Sequence, residues 1–345
     1  MKALELVEYE KFEYKEVPLP EIAPNEVLVR VAACGICGSD VHGMDGSSGR
    51  RIPPIIMGHE AAGSIAKLGA GVDQSAWKEG DRVTFDSTVY CGTCWHCRRG
   101  EVNLCDNRMV LGVSCGDYRR HGAFADFVAV PEHILYALPD SISFEQAAMV
   151  EAVSVAVHAV ERTPVSLNDS VVIVGAGMIG LLCLQTIKAA GCGKTFVVDL
   201  DESRLALAKS FGADFCLDPS NVDVVETVQA ETSGRGADIS MEAVGISAST
   251  QTAIASLRKG GSCTLVGNLA KTVEMPLQEV VTRQISLIGT CASAGEYPAC
   301  LDLIASGTIK VDPLISQTRP LEEGSEWFAR LHKGEPGLTK VILKP

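Results

Sequence analysis

A glycine-spaced turn caught between an apolar run and a helix-length segment constrains this chain more than any other feature. Val171–Val174 reads VVIV, Gly175-Ala176-Gly177-Met178-Ile179-Gly180 follows at once, and residues 178–190 (MIGLLCLQTIKAA) are long enough for a helix. In such a turn the first glycine permits the tight bend, the second lets backbone approach a pyrophosphate, and the third lets helix and strand pack closely. The helix N-terminus then presents N–H groups and a positive dipole end to the phosphates. With 33 glycines in the chain the spacing alone arises easily by chance, so its context has to carry the reading. Residues 195–199 (TFVVD) supply a second strand candidate, and Asp199 stands nineteen residues after Gly180. A carboxylate there accepts hydrogen bonds from the adenosine ribose hydroxyls and repels a 2′-phosphate. Asp201 and Glu202 deepen the negative field, which favours NAD over NADP, while Arg204 has those acids to pair with.

The pattern around this unit predicts a doubly wound parallel sheet from about residue 150 onward. Apolar strand candidates at 237–241 (ADISM), 262–266 (SCTLV) and 285–288 (ISLI) alternate with helical stretches such as 202–211, which stops at Gly212. Strands buried on both faces need helices on both sides. The first 150 residues read differently, as short β-branched runs at 26–31 (EVLVRV), 81–85 (DRVTF) and 123–130 (AFADFVAV) between Pro and Gly turns. That is the pattern of a β-rich, barrel-like unit. The fold class is therefore α/β with a separate β-rich domain, and 345 residues suit two domains of roughly 150 each. The last stretch ends in a strand-like KVIL at 340–343, and periodicity does not say which domain it joins.

Composition narrows the function. A hydrophobic content of 46% excludes a disordered chain, and a net charge of −13 opposes a nucleic-acid partner. No run approaches the roughly 18 apolar residues that cross a bilayer, and the charged start lacks a signal-peptide core. The expectation is a cytoplasmic protein with no membrane partner. Thirteen cysteines are many for a reducing compartment, so their spacing decides their purpose.

Cys91-x2-Cys94-x2-Cys97-x7-Cys105 puts four thiols in one loop, which suits a tetrahedral zinc with a closed, structural role. His96 lies inside the cluster and is read as a surface residue. A second, dispersed set comprises Cys37 in Cys-Gly-Ile-Cys-Gly-Ser-Asp-Val-His (34–42), His59 and Glu60 in Gly-His-Glu, and Glu151. Mixed thiolate, imidazole and carboxylate ligands suit a zinc with an exchangeable position. The sequence separations alone do not establish that these residues converge. Cys34, Cys183, Cys192, Cys216, Cys263, Cys291 and Cys300 read as packing residues, and His158 as a core histidine.

Taken together, the Gly-Ile-Cys-Gly-Ser-Asp-Val-His segment (35–42), Gly-His-Glu-Ala-Ala-Gly (58–63), the four-cysteine lobe and the glycine turn occur in an order that resembles the zinc-dependent medium-chain dehydrogenase/reductase family over essentially the whole chain. Glu151 in Glu-x-x-Ser-Val-x-x-His makes it most similar to the polyol dehydrogenases of the sorbitol/L-iditol and galactitol-1-phosphate type. The resemblance implies a GroES-like catalytic domain over 1–152, a Rossmann NAD-binding domain over 153–290, and a return to the catalytic domain over 291–345. It implies two zinc ions per chain and NAD as cofactors. By position, Cys37 and His59 would ligate the catalytic zinc, with Glu60 and Glu151 as carboxylates of which either one could touch the metal. Ser39 and His42 align with a proton relay, Asp40 with a carboxylate that orients a ligand, and Val244, Val266 and Gly267 with the nicotinamide side of the fold. Zinc lowers the pKa of an alcohol, and the cofactor accepts hydride from its carbon.

The expected activity is oxidation of a secondary alcohol of a polyol or sugar, free or phosphorylated, in a homodimer or homotetramer joined near 285–288. Two departures bear on substrate. Gly43 stands where the sorbitol-type pattern has Tyr, and Ala292 and Ser293 stand where it has an Arg-Tyr pair. Arg50 or Arg51 could supply the missing clamp. Alternative readings are a dehydrogenase of butanediol or threonine type and a non-catalytic NAD-binding sensor.

Overall fold

The computed structural model describes residues 1–115 and 118–345, which form two units, Met1–Glu151 with Ala294–Pro345 and Ala152–Ser293. The second unit is built on a six-stranded sheet. Its order is Phe215–Leu217, Thr195–Val198, Val171–Val174, Ala237–Glu242, Leu257–Leu265 and Ser286–Gly289, and all neighbours are parallel. Numbered along the chain this is order 3-2-1-4-5-6, with the direction of winding reversing beside Val171–Val174. VVIV and TFVV are buried at every position, as strands covered on both faces must be. Helices Met178–Ala189 and Glu202–Ser210 follow the first and second strands, as their patterns predict.

Two strands differ from the sequence reading. FCL at Phe215–Leu217 is too short to stand out and gains its identity only by pairing with Phe196, Val197 and Val198. The strand expected at 262–266 begins at Leu257, because Leu257 pairs with Ala237 ahead of a register shift that accommodates Arg258–Gly261.

In the first unit the main sheet runs Leu135–Ala137, Arg82–Phe85, Glu60–Leu68, Glu26–Gly35, Lys340–Lys344, Ile315–Pro320, and Phe127–Pro131 also pairs with Glu26–Gly35. The pairing of Glu26–Gly35 with Glu60–Leu68 is antiparallel and shifts register twice, between Leu28 and Val29 and between Val31 and Ala33. Such bulges bend a strand and raise its twist, which lets the sheet curl over Leu6, Val29, Met57, Phe85, Phe124 and Phe328. The curl brings the ends Gly35 and Glu60 opposite one another, and Ile342 of the last strand pairs with Gly35. KVIL thus rejoins the β-rich unit at the ends of the strands that carry the sequence motifs. Among the described residues no helix is long and apolar enough to cross a membrane.

Candidate active site and metal centres

Three of the four dispersed candidates come together. One ligand atom each from Cys37, His59 and Glu60 lies within 4.8 Å of the others. Cys37 follows the strand Glu26–Gly35 and precedes the helix Gly38–Met44, while His59 and Glu60 open the neighbouring strand. His59 and Glu60 are buried and Cys37 is half-buried. Glu151, second residue of the helix Val150–Arg162, is half-buried and stands outside that three-residue set. Burial, together with the nearby charges of Glu60 and Asp86, pushes its carboxyl up to about 7 against the opposing pull of His59. It is therefore a neighbour of the cluster whose carboxyl is raised chiefly by burial.

Three charged side chains hold the set in place. Asp40 is fully buried; its Oδ1 lies 3.3 Å from His59 Nδ1, at ion-pair distance though outside hydrogen-bond alignment. Cys37 N–H donates to Asp40 Oδ2 at 3.4 Å. Burial disfavours ionised Asp40, but the His59 and Arg51 charges beside it outweigh this and hold its carboxyl far below the usual range. Burial likewise disfavours a charged His59 ring, and Asp40 overrides it and raises the histidine well above its ordinary value. With Nδ1 turned to Asp40, Nε2 is the nitrogen left for a cation, and Ser39 Oγ lies 3.5 Å from it.

Lys340 is the third. Its Nζ pairs with Glu60 Oε2 and donates to Ile36 O at 3.0 Å, and the residue is buried. A Cβ on Gly35 would stand 2.5 Å from Glu60 Oε2, so glycine there makes room for the carboxylate. Sequence reasoning passed over Lys340; its only signal was a lone cation opening an apolar strand. Arg51, read as a loop residue, is buried against Asp40 instead, whereas Arg50 is exposed. Ser39 and His42 are exposed and sit three residues apart on one helix, hence on one face.

The four sulfurs of Cys91, Cys94, Cys97 and Cys105 also lie within 4.8 Å of one another. Cys91 N–H donates to Cys105 Sγ at 3.3 Å and Cys97 N–H to Cys94 Sγ at 3.5 Å, the inward N–H geometry that stabilises thiolates. Hydrogen bonds from the Thr93 backbone, Asn107 and the Thr93 hydroxyl lower the Cys91 thiol to about 5. Four sulfurs this close repel as thiolates unless a cation sits among them, which is what a closed zinc site provides. His96 is not part of the set and pairs with Glu101 at 2.9 Å. Cys34, Cys183, Cys263 and Cys300 are buried, but Cys291 is exposed and does not serve packing.

In the second unit Gly175 has φ +100, and a Cβ there would stand 2.6 Å from Val244 Cγ2. A Cβ on Gly180 would overlap the Gly175 carbonyl, so helix and turn close directly on each other. A Cβ on Gly177 would meet nothing within 4 Å, and no side chain caps the helix there, leaving Met178 and Ile179 at an open, N–H-lined end. That is a cradle for phosphate. Asp199 Oδ2 accepts from Ala176 N–H at 2.6 Å and Oδ1 from Asp201 N–H at 2.9 Å, so the carboxylate is fixed beside the turn. Arg204 reaches 3.9 Å from Asp199 and 3.8 Å from Asp201. Glu242 ties down the remaining edge. Its carboxylate accepts from Val244 and Gly245 N–H, and its carbonyl from Val266 and Gly267 N–H.

Comparison with known proteins agrees with this chemistry. A family model described as "Alcohol dehydrogenase GroES-like domain" matches residues 23–140, and one described as "Zinc-binding dehydrogenase" matches 179–306. The sorbitol dehydrogenase of Bacillus subtilis is 35% identical, covering 100% of this chain and 97% of that protein. The D-arabitol-phosphate dehydrogenase of Enterococcus avium is 34% identical over 97% of this chain and 94% of that protein. The crystal structure of galactitol-1-phosphate dehydrogenase from Escherichia coli superposes with TM-score 0.91 at 28% identity, covering 100% of both chains.

Proposed function

The chain belongs to the zinc-binding dehydrogenases with a GroES-like alcohol dehydrogenase domain, and on that premise we propose that it oxidises a secondary alcohol of a polyol or sugar to a ketone, with hydride passing to NAD. The observation that carries this is the convergence of Cys37, His59 and Glu60 on one point, from two strand ends of the sheet. These three would hold the catalytic zinc, with Glu151 acting through water, and the four-cysteine lobe would hold the second, structural ion. Zinc in the first site supplies Lewis acidity that makes an alcohol proton easier to lose, and NAD supplies the hydride acceptor.

The chain's own residues do the rest. Asp40 keeps the His59 ring turned, and Lys340 neutralises one oxygen of Glu60. Ser39 Oγ accepts the proton that the alcohol loses while releasing its own hydroxyl proton, and His42, on the same exposed helix face, delivers a proton to solvent. Gly177 leaves room for the pyrophosphate, Gly175 and Gly180 let the turn close on its helix and neighbours, and the fixed Asp199 carboxylate takes the ribose hydroxyls. Arg51 is occupied by Asp40, which leaves the exposed Arg50 as the remaining candidate clamp should the substrate be phosphorylated. Thirteen free cysteines accord with a cytoplasmic location. A second copy would add to the Ser286–Gly289 edge of the six-stranded sheet, beside the exposed Leu277 and Val281.

The test is an NAD-reduction screen over polyols, polyol phosphates, sugars, diols and threonine, run alongside Cys37→Ala. Turnover on a polyol that falls on the order of 10³-fold in Cys37→Ala supports the reading. Tight NAD binding with no turnover on any alcohol would point to a sensor instead. Asp199→Ala is expected to lose most of the preference for NAD over NADP; an unchanged ratio of the two kcat/KM values would remove Asp199 from that role.

A further inference from the structure

The helix Gly38–Met44 carries both Ser39 and Asp40, and one side chain from the loop beyond it touches both. Arg51 is only 3% exposed. Its Nε and Nη2 donate to Asp40 Oδ1 at 3.2 and 2.9 Å, Nη2 also reaches Ser39 Oγ at 3.3 Å, and Nη1 donates to Arg50 O at 3.2 Å. Asp40 Oδ1 alone separates the guanidinium from the His59 ring, while the other oxygen, Oδ2, accepts from the Cys37 backbone. Because Nη2 donates to Ser39 Oγ, the hydroxyl's own proton points away from the guanidinium.

The stem of the same arginine explains an oddity of the sequence. A Cβ on Gly43 would overlap Arg51 Cγ and stand 3.1 Å from Arg51 Cβ and 3.4 Å from Cδ. Gly43 lies in a helix with an ordinary backbone, so space and not torsion requires glycine there. Position 43 is thus a place that Arg51 needs empty.

We infer that Arg51 is a positioning residue for the catalytic metal site, admitted by Gly43, and that the two form a coupled unit. Arg51 fixes Asp40 with a planar fork, so that Asp40 holds the His59 ring and the Cys37 turn in register, and it orients the Ser39 hydroxyl. A lysine carries the charge but not the fork. This inference rests on the catalytic-zinc reading above.

The test uses the zinc-loaded protein and four variants: Arg51→Lys, Arg51→Gln, Gly43→Ala and the double variant Gly43→Ala/Arg51→Ala, with Arg51→Ala and Cys37→Ala as references. Three quantities are read: the rate at which a chelator removes the first zinc, the visible absorption of the cobalt-substituted protein, and kcat and KM separately. Removal of Arg51 is expected to speed loss of the first zinc and lower kcat by about 10–100-fold, to shift the cobalt bands, and to leave KM for NAD unchanged. Arg51→Lys should recover part of this and no more. Gly43→Ala, which displaces the stem, should reproduce Arg51→Ala, and the double variant should be no worse than either. An unchanged far-UV circular dichroism spectrum and Tm report that each variant is folded. Wild-type zinc loss and unshifted cobalt bands in Arg51→Gln, with one zinc lost in Cys37→Ala, would overturn the role of Arg51 alone. Additive effects of Gly43→Ala and Arg51→Ala would overturn the coupling. Two zinc ions retained in Cys37→Ala would instead bring down the metal assignment beneath it.

Discussion

The four-cysteine lobe and the Cys37–His59–Glu60 cluster differ first in where their ligands come from. The lobe draws all four from residues 91–105, a loop with two short 3₁₀ turns and little apolar burial: Trp95 is 62% and Leu104 45% exposed. Such a loop has no core to fold around, so the cation has to supply its cohesion. The other cluster is assembled by strands that pack whether or not an ion is present, on a core of fully buried aromatic and aliphatic side chains. Its charges are also balanced in advance, Glu60 by Lys340 and Asp40 by Arg51. One metal centre makes its own fold; the other is made by a fold.

That contrast can be broken most sharply at a lobe cysteine. Structural zinc in small domains contributes about 10–16 kcal/mol of apparent binding energy, so Cys97→Ala is expected to unfold residues 91–105 outright. Limited proteolysis should then cut within the lobe, while Cys37→Ala loses one zinc and keeps a protected lobe. Equal protection of the two variants would erase the distinction.

Lys340→Met sharpens the other half. It leaves a buried Glu60 carboxylate without its cation, which costs about 3–5 kcal/mol when nothing replaces it. The drop in Tm should be large in chelator-treated protein and much smaller with zinc loaded, since the metal then takes over the charge. A drop of the same size in both states would show that Lys340 acts only through packing.

The smallest effect lies in the other unit, where no metal is involved. Asp238 accepts from Ser170 N–H at 2.9 Å, Ser170 Oγ at 2.7 Å and Arg258 Nε at 2.6 Å. Partial burial raises its carboxyl, and the Arg258 and Ser170 bonds outweigh that and lower it from 3.8. A depressed folded value means a contribution present above the ordinary carboxylate range and lost as pH falls through the folded one. Asp238→Asn should cost about 1–2 kcal/mol at pH 7 and progressively less below pH 4, measured by denaturant melts with zinc bound; a cost independent of pH would deny the charge a role.

Legibility in the sequence followed the same divide. The lobe and the glycine turn were readable because their chemistry is complete within a short window, and VVIV and TFVV because a doubly covered strand is apolar throughout. Cys37, His59 and Glu60 could be named as candidates by residue type, yet their meeting depends on a strand pairing with two register shifts that no local pattern encodes. Lys340 and Arg51 were less visible still, since a buried cation is recognisable only once its carboxylate partner is found beside it. Phe215–Leu217 is a strand by virtue of its neighbour alone.

The bond between Lys340 and Glu60 spans 280 positions along the chain. Translation therefore adds 280 further residues before this carboxylate can meet its countercharge. The surroundings of Glu60 are thus completed only when the last strand pairs with Gly35 and sets its ammonium against the acid.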